Sequence, residues 1–354
     1  MTGNSLSKAP VGRENNRILY LDLLRLAAAF FVIVNHTNSR IFQSMSPSAT
    51  WYLSLAWFFL SKAAVPLFLM ISGALSLGRQ TDWKRWPWQV LRALTVLLAA
   101  NLGYYFYGVW KGKKRLGLYF AVKNLFYSSS TALWYLYLWF AMVLFMPFFR
   151  KLAQALTRRE EQLLILLSVG LGGVIQLLPA FSKALRLNVG YGNLALSVYA
   201  GLLFLGHYLQ TYTAPKRRTA LLGLLVFCLL LAGELAGTRG LYSKNPDSYL
   251  ALDNRIQLTV TTQAACLFVM ARRLCRGLEN RPAAGRILAF LGSQAFGIYL
   301  LGDLGRQELE GVYLALSKAM HPMGAMLLYE LAIFGACMAA TILLRCIPGV
   351  KRFI

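Results

Sequence analysis

The sequence predicts an all-α, polytopic transmembrane bundle of about ten helices, with its N- and C-termini cytoplasmic. Three observations carry that prediction. The 354 residues are 57% hydrophobic and only 14% charged, whereas a soluble chain uses about 25% charged residues. The apolar residues gather into runs near the length that spans a bilayer, about 17–25 residues. The Lys and Arg residues fall in short clusters between those runs, as the positive-inside rule requires. That clustering also argues against nucleic acid as the partner of the net charge of +24. A stretch such as TDWKRWPWQ (81–89) reads as an interfacial aromatic belt.

The elements follow in order. A polar tail, 1–17, precedes the first run, 18–38. It is too long for the n-region of a signal peptide, and no small-residue cleavage site follows the run, so the first helix is expected to stay uncleaved. The second run, 51–77, is long enough to tilt or kink, and Pro66 supplies a reason to kink. Runs at 88–110, 132–149, 162–180, 194–212, 219–236, 256–272, 286–304 and 324–346 complete the set. A short tail, 347–354, closes the chain. No polar loop exceeds roughly 20 residues and no internal repeat is evident, so a single transmembrane domain over 18–346 is expected, without a soluble domain.

Basic residues set the orientation. With the N-terminus inside, the clusters Arg150/Lys151/Arg158/Arg159 and Lys216/Arg217/Arg218 are cytoplasmic. The segment 111–131, with Lys111, Lys113, Lys114, Arg115 and Lys123, is the exception on the outer side. An even number of spans returns the C-terminus to the cytoplasm, and the plasma membrane is the expected location. The five cysteines, Cys228, Cys266, Cys275, Cys337 and Cys346, show no metal-ligand spacing. Neither a disulfide framework nor a metal site is expected.

The first helix carries ionisable groups that lipid would penalise. Asp22, Arg25 and His36 flank the apolar run Leu26 to Val34. Eleven residues separate Arg25 from His36. At 100° per residue they share one face, about 16 Å apart along the axis. Asp22, three residues before Arg25, is placed for an ion pair. A polar stripe of this kind belongs beside a protein-lined cavity. The plain alternative is a structural Asp22–Arg25 pair at the inner interface and an ordinary His36 near the outer end. Lys62 either snorkels outward or lines the same cavity. Trp134 and Tyr135, in TALWYLYLWF (131–140), either join an interfacial belt or face that cavity. Ser72-Gly73 marks close helix packing, and His207 and His321 read as interfacial residues near span ends.

These residues resemble the acyltransferase-3 family of integral membrane acyltransferases. The resemblance rests on the LDLLR start, the Arg–ten residues–His pattern ending at His36, the segments VPLFLMISG and LWYLY, and the late FGIYLL (296–301), in order along nearly the whole chain. It implies ten helices and transfer of an acyl group, often acetyl, from cytoplasmic acyl-CoA to a hydroxyl of a cell-surface glycan or lipid-linked sugar. No metal is implied. Where relatives often have His after IYL, this chain has Gly302, followed by Asp303. No esterase-like domain follows the last run, as in the single-domain branch of the family.

The implied chemistry needs a base to deprotonate an alcohol, and an imidazole suits neutral pH. His36 is the candidate, either as that base or as the group that carries the acyl covalently. Arg25, whose fork of donors suits phosphate or amide oxygens, is the candidate for holding CoA, with Asp22 orienting it. Arg79, Lys84, Arg85 and Arg92 are candidates at the inner mouth for the CoA phosphates. Lys62, Trp134 and Tyr135 are candidates for the acceptor side. The outer segments 237–255, with Asp247, Asp253, Asn254 and Arg255, and 305–322, with Glu308 and Glu310, are expected to frame the acceptor. Membrane lipids and the acyl acceptor are the expected partners, and self-association is left open. Two rivals stand beside this reading: a proton-coupled transporter or flippase of a lipid or sugar, to which paired interrupted helices would point, and a sensor or assembly protein that keeps the fold without catalysis.

Overall fold

The stretch LYLDLLRLAAAFFVIVNHT contains no glycine or proline, and it forms one uninterrupted helix, α1 (Leu19–Thr37). The computed structural model describes residues 18–127, 130–175, 198–214, 216–244, 257–278 and 282–353. A short helix, α2 (Ser39–Gln43), turns the chain. Ser48 then caps α3 (Ala49–Ser61), its side chain accepting from the Trp51 amide at 3.2 Å. α4 (Ala64–Ser76) continues in nearly the same run. The break between them, at Lys62 and Ala63, is placed by Pro66. Proline has no N–H to donate to the carbonyl of Lys62, four residues earlier, and its ring crowds that carbonyl. The ladder resumes at once, with Leu67 N donating to Ala63 O at 2.9 Å.

α5 (Trp86–Trp110) opens with a proline in its first turn, where no amide partner is needed. α6 (Leu118–Tyr127) and a 3₁₀ turn over Thr131–Leu133 lead into α7 (Trp134–Ala155). A reciprocal capping box between Thr157 and Glu160 starts α8 (Arg158–Ile165), which runs on through a π-helical turn, Leu166–Leu171. Then follow α9 (Val198–Tyr212), α10 (Arg217–Lys244), α11 (Gln257–Cys275), α12 (Pro282–Glu308), α13 (Glu310–Ala319) and α14 (Pro322–Arg345). No strand occurs among the described residues.

Every predicted run carries helix in its described part. Seven helical stretches among the described residues are long and apolar enough to cross a bilayer: Leu19–Gln43, Ala49–Ser76, Trp86–Trp110, Trp134–Ala155, Arg217–Lys244, Pro282–Glu308 and Pro322–Arg345. α8, α9 and α11 fall outside that set. For α11 the reason is visible, because its Thr259 and Gln263 donate to the buried Glu234 of α10 at 2.5 and 2.8 Å. A helix packed inside a bundle can carry polar residues that lipid would exclude. α10 and α12 extend beyond the expected boundaries, to Lys244 and Glu308, and α6 and α13 lie in segments read as loops. Hydropathy marks the hydrocarbon layer, whereas a helix continues as long as its backbone stays paired.

α1 is the hub. It packs most extensively against α12, then against α4, with α3, α11 and α14 also touching it. α4 and α9 cross at backbone distance. A Cβ on Gly73 would lie 1.8 Å from Leu203 O, and one on Gly206 would lie 1.9 Å from Met70 O. Only glycine fits such a crossing. Leu67, Met70, Leu203 and Phe204 fill the core on either side. At the periphery, α10 exposes Leu221, Leu222, Leu225 and Leu229, as a lipid-facing helix does.

Candidate active site

Two cavities meet end to end against α1. The first has a volume of about 480 Å³, and His36, Lys62, Trp134, Tyr135 and Tyr199 are among its lining residues. The end of α1 delivers His36, and the Pro66 break delivers Lys62, whose ammonium also lies 4.3 Å from the centre of the Phe58 ring. The start of α7 supplies Trp134 and Tyr135. The four residues that the sequence proposed for the reacting and acceptor ends thus share one space. No hydrogen bond to a described residue occupies the His36 ring, so it is open to a ligand. Asp303, Arg306 and Lys62 are the charged groups in electrostatic reach of it.

The second cavity, about 600 Å³, lies toward the other end of α1 and is lined by Arg25, Arg79, Arg92, Arg150 and Arg345, with no acidic side chain among the described residues. Arg25 is half-buried and paired to the buried Asp22 at 2.9 Å, as the spacing predicted. Arg150 is fixed by donating from Nε to Ser76 O at 3.0 Å, and Arg345 by donating to Ser293 O at 3.0 Å and to Gln294 Oε1 at 3.1 Å. Held guanidinium groups around an open space form a site for a polyanion. Of the proposed CoA ligands, Arg25, Arg79 and Arg92 line this cavity. Lys84 and Arg85 line neither cavity. Arg85 is exposed and pairs with Asp82 at 3.2 Å, while Lys84 donates its backbone amide to the same carboxylate.

Tyr135 and Tyr299 line both cavities and separate them. Their rings pack edge to face at 5.6 Å, and Phe68 lies 5.6 Å from Tyr135 and 6.3 Å from Tyr299. Tyr299 is pinned by donating its hydroxyl to Ala132 O at 2.8 Å. The stripe on α1 therefore faces two chambers, not the single cavity expected from the sequence, because the Tyr135 and Tyr299 rings stand between Arg25 and His36.

Asp303 is the group that sequence reasoning left unassigned. It is buried and accepts from Ser130 Oγ at 2.7 Å, Gln307 Nε2 at 3.2 Å and Arg306, whose closest nitrogen lies 2.6 Å away. The signal was present, because DLGR (303–306) repeats the Asp-x-x-Arg spacing of DLLR (22–25). The neighbouring Gly302 faces α1, where a Cβ would meet Ile33 Cγ1 at an ordinary 3.5 Å. Another buried carboxylate, Glu330, accepts from Thr37 Oγ1 and Trp57 Nε1, both at 2.9 Å, and ties α14 to α1 and α3 one residue beyond His36.

The remaining histidines have structural roles. His207 is buried rather than interfacial, with Nδ1 2.8 Å from the buried Glu161. His321 caps α14 and lies 3.0 Å from Thr50 Oγ1. Glu308 and Glu310 are engaged by Lys111 and Arg40, at 2.8 and 2.9 Å. Asp247, Asp253, Asn254 and Arg255 lie outside the described residues. None of the five cysteines forms a disulfide among the described residues, which contain no cluster suited to a metal ion.

No curated protein and no solved structure matches the chain. A family profile described as an acyltransferase domain matches residues 18–346. That match takes in the helices of both chambers, from the Asp22–Arg25 pair to Arg345, and by it this multi-pass membrane chain belongs to the acyltransferase-3 family.

Proposed function

We propose that the chain is a membrane O-acyltransferase that moves an acyl group, acetyl in the simplest case, from cytoplasmic acyl-CoA to a hydroxyl of a cell-surface glycan or lipid-linked sugar. The observation that carries this reading is the pair of chambers, one arginine-lined and one holding His36 and Lys62, back to back at Tyr135 and Tyr299.

In this reading the phosphates of CoA occupy the arginine chamber, and Arg25, Arg79, Arg92, Arg150 and Arg345 neutralise them. Asp22 keeps the Arg25 guanidinium turned to that chamber. The pantetheine arm passes the aromatic partition and brings the thioester carbonyl to His36. An acceptor hydroxyl enters from the other chamber. His36 takes its proton as the oxygen attacks the carbonyl carbon, and Lys62 donates to the oxygen that gains charge. The C–S bond then breaks, the proton passes to the departing thiolate, and an ester and free CoA result. Trp134 and Tyr199 offer aromatic faces at the mouth for a sugar ring.

The test is His36→Gln, assayed for acyl transfer in membranes and for acyl-CoA binding by the purified protein. General-base catalysis contributes about 10²–10⁴-fold, so transfer should fall by at least that factor while binding persists. Wild-type transfer by the variant would defeat the assignment. Mass spectrometry of surface glycans and lipids from cells with and without the protein identifies the acceptor by its lost ester.

A further inference from the structure

Arg217 and Arg273 stand at one end of an apolar groove on the flank of the bundle, separate from both chambers. α1, α10 and α11 form its walls and α4 adds Leu67, with Leu23, Ala27, Phe31, Leu224 and Met270 also among the lining residues. Its volume is about 620 Å³, and no acidic side chain lines it among the described residues.

Three observations say what covers this groove. The first is its cationic rim. Arg217 begins α10 and Arg273 lies near the end of α11, and these two helices pack along one another. Neither arginine has a hydrogen bond or ion pair among the described residues. Their neighbour Arg272 differs, donating to Leu209 O at 2.6 Å and to Thr213 O at 2.7 Å. The second is depth. From Leu23 to Phe31 the groove follows eight residues of α1, about 12 Å of rise, close to one leaflet of a hydrocarbon core about 30 Å thick. The third is orientation. Leu23, Ala27 and Phe31 lie on the side of α1 opposite Arg25 and His36, at 100° per residue, so the groove opens away from the chambers.

We infer that this groove binds one anionic phospholipid, its phosphate between Arg217 and Arg273 and an acyl chain laid against Leu23, Ala27 and Phe31. Basic pockets between transmembrane helices take acidic head groups in this manner. The lipid fastens the peripheral α10 and α11 to the hub helix on the face that the reaction leaves unused. The inference does not depend on the acyl-transfer reading.

Native mass spectrometry and thermal melting of the purified full chain in detergent test it, with phosphatidylglycerol and phosphatidylcholine of matched chains as probes. Phosphatidylglycerol should remain as a one-to-one adduct and raise the melting temperature, and phosphatidylcholine should do neither. Arg217→Gln/Arg273→Gln should weaken phosphatidylglycerol about 30-fold, as loss of two cations near an anionic head group implies. Arg218→Gln/Arg276→Gln, which removes equal charge from exposed neighbours outside the groove, should leave binding unchanged. Ala27→Phe, which narrows the groove and keeps both arginines, should also weaken it. Equal binding of the two lipids, equal loss in both double variants, full binding by Ala27→Phe, or the same stabilisation by inorganic phosphate alone would overturn the site.

Discussion

Asp22 and Asp303 show how the same local motif serves opposite ends of the site. Each accepts from an arginine three residues later on its own helix, at 2.9 Å from Arg25 and 2.6 Å from Arg306. Each carboxylate is buried while its arginine is partly exposed. A buried carboxylate fixes the angle of a guanidinium, because breaking the pair gives up a charge-assisted bond in low dielectric. The tyrosines between these pairs have a different task. Tyr135 is 6% exposed, although it borders both chambers, so its ring is the material that keeps them apart. In the proposed reaction the pantetheine arm threads past this ring, which closes the space around the arm to water from the arginine chamber. Tyr135→Ala should raise acceptor-independent release of CoA thiol by about tenfold, the factor that 1.4 kcal/mol of barrier corresponds to. Thiol titration with acyl-CoA and no acceptor measures it. The substitution also removes a packed ring, at a cost of order 3–5 kcal/mol, so a melt must accompany the assay. A folded variant with unchanged thiol release would mean that the ring is no barrier.

At the scale of elements, the broken α3–α4 run carries the most consequence. The sequence marked 51–77 as one run with a reason to kink at Pro66; the chain responds with a two-residue turn at Lys62 and Ala63, whose dihedrals stay right-handed. That interruption turns Ser61, Lys62 and Pro66 onto the chamber of His36. Pro66→Ala restores an amide facing the Lys62 carbonyl and should let the two helices join. Relief of an interior proline is worth up to about 3 kcal/mol, so the variant should melt no lower than the wild type. Its transfer activity should nevertheless fall, since a continuous helix moves Lys62 off the chamber. Wild-type activity together with a higher melting point would show that the break is incidental to the site. The ten apolar runs, the Asp22–Arg25 pair and the shared face of Arg25 and His36 were legible because each rests on local spacing. Arg150, Arg345 and Tyr299 were not legible as site residues, because α7, α12 and α14 bring them to α1 only through long-range packing. The buried pairing of His207 with Glu161 was hidden for the same reason. α6 and α13 were missed because short amphipathic helices at the surface leave no apolar run.

For the whole molecule, the arginine chamber fixes which helix ends lie together. Arg25 belongs to the start of α1, Arg79 follows the end of α4, Arg92 lies near the start of α5, Arg150 near the end of α7, and Arg345 ends α14. Residues from near the start and the end of the membrane domain, Arg25 and Arg345, therefore meet at one chamber. Lys113 and Lys123 sit at the other end, after α5 and in α6, beyond the turn that returns the chain through α7. The positive-inside rule counts Lys and Arg near span ends. By that count we assign the chamber end, which also carries Arg158, Arg159, Arg217 and Arg218, to the cytoplasm. Single cysteines placed in a cysteine-free background decide the matter. With a membrane-impermeant maleimide on intact cells, Lys113→Cys and Ser317→Cys should label, and Arg159→Cys and Arg218→Cys should label only after permeabilisation. Three of the positions are exposed and Ser317 is partly so, and none lines a chamber. The reverse pattern would place the arginines outside, where acyl-CoA is absent, and would remove the donor from the proposed reaction. Labelling of Arg159→Cys and Lys113→Cys from the same side would contradict the packing of α5 and α7 around the chamber itself.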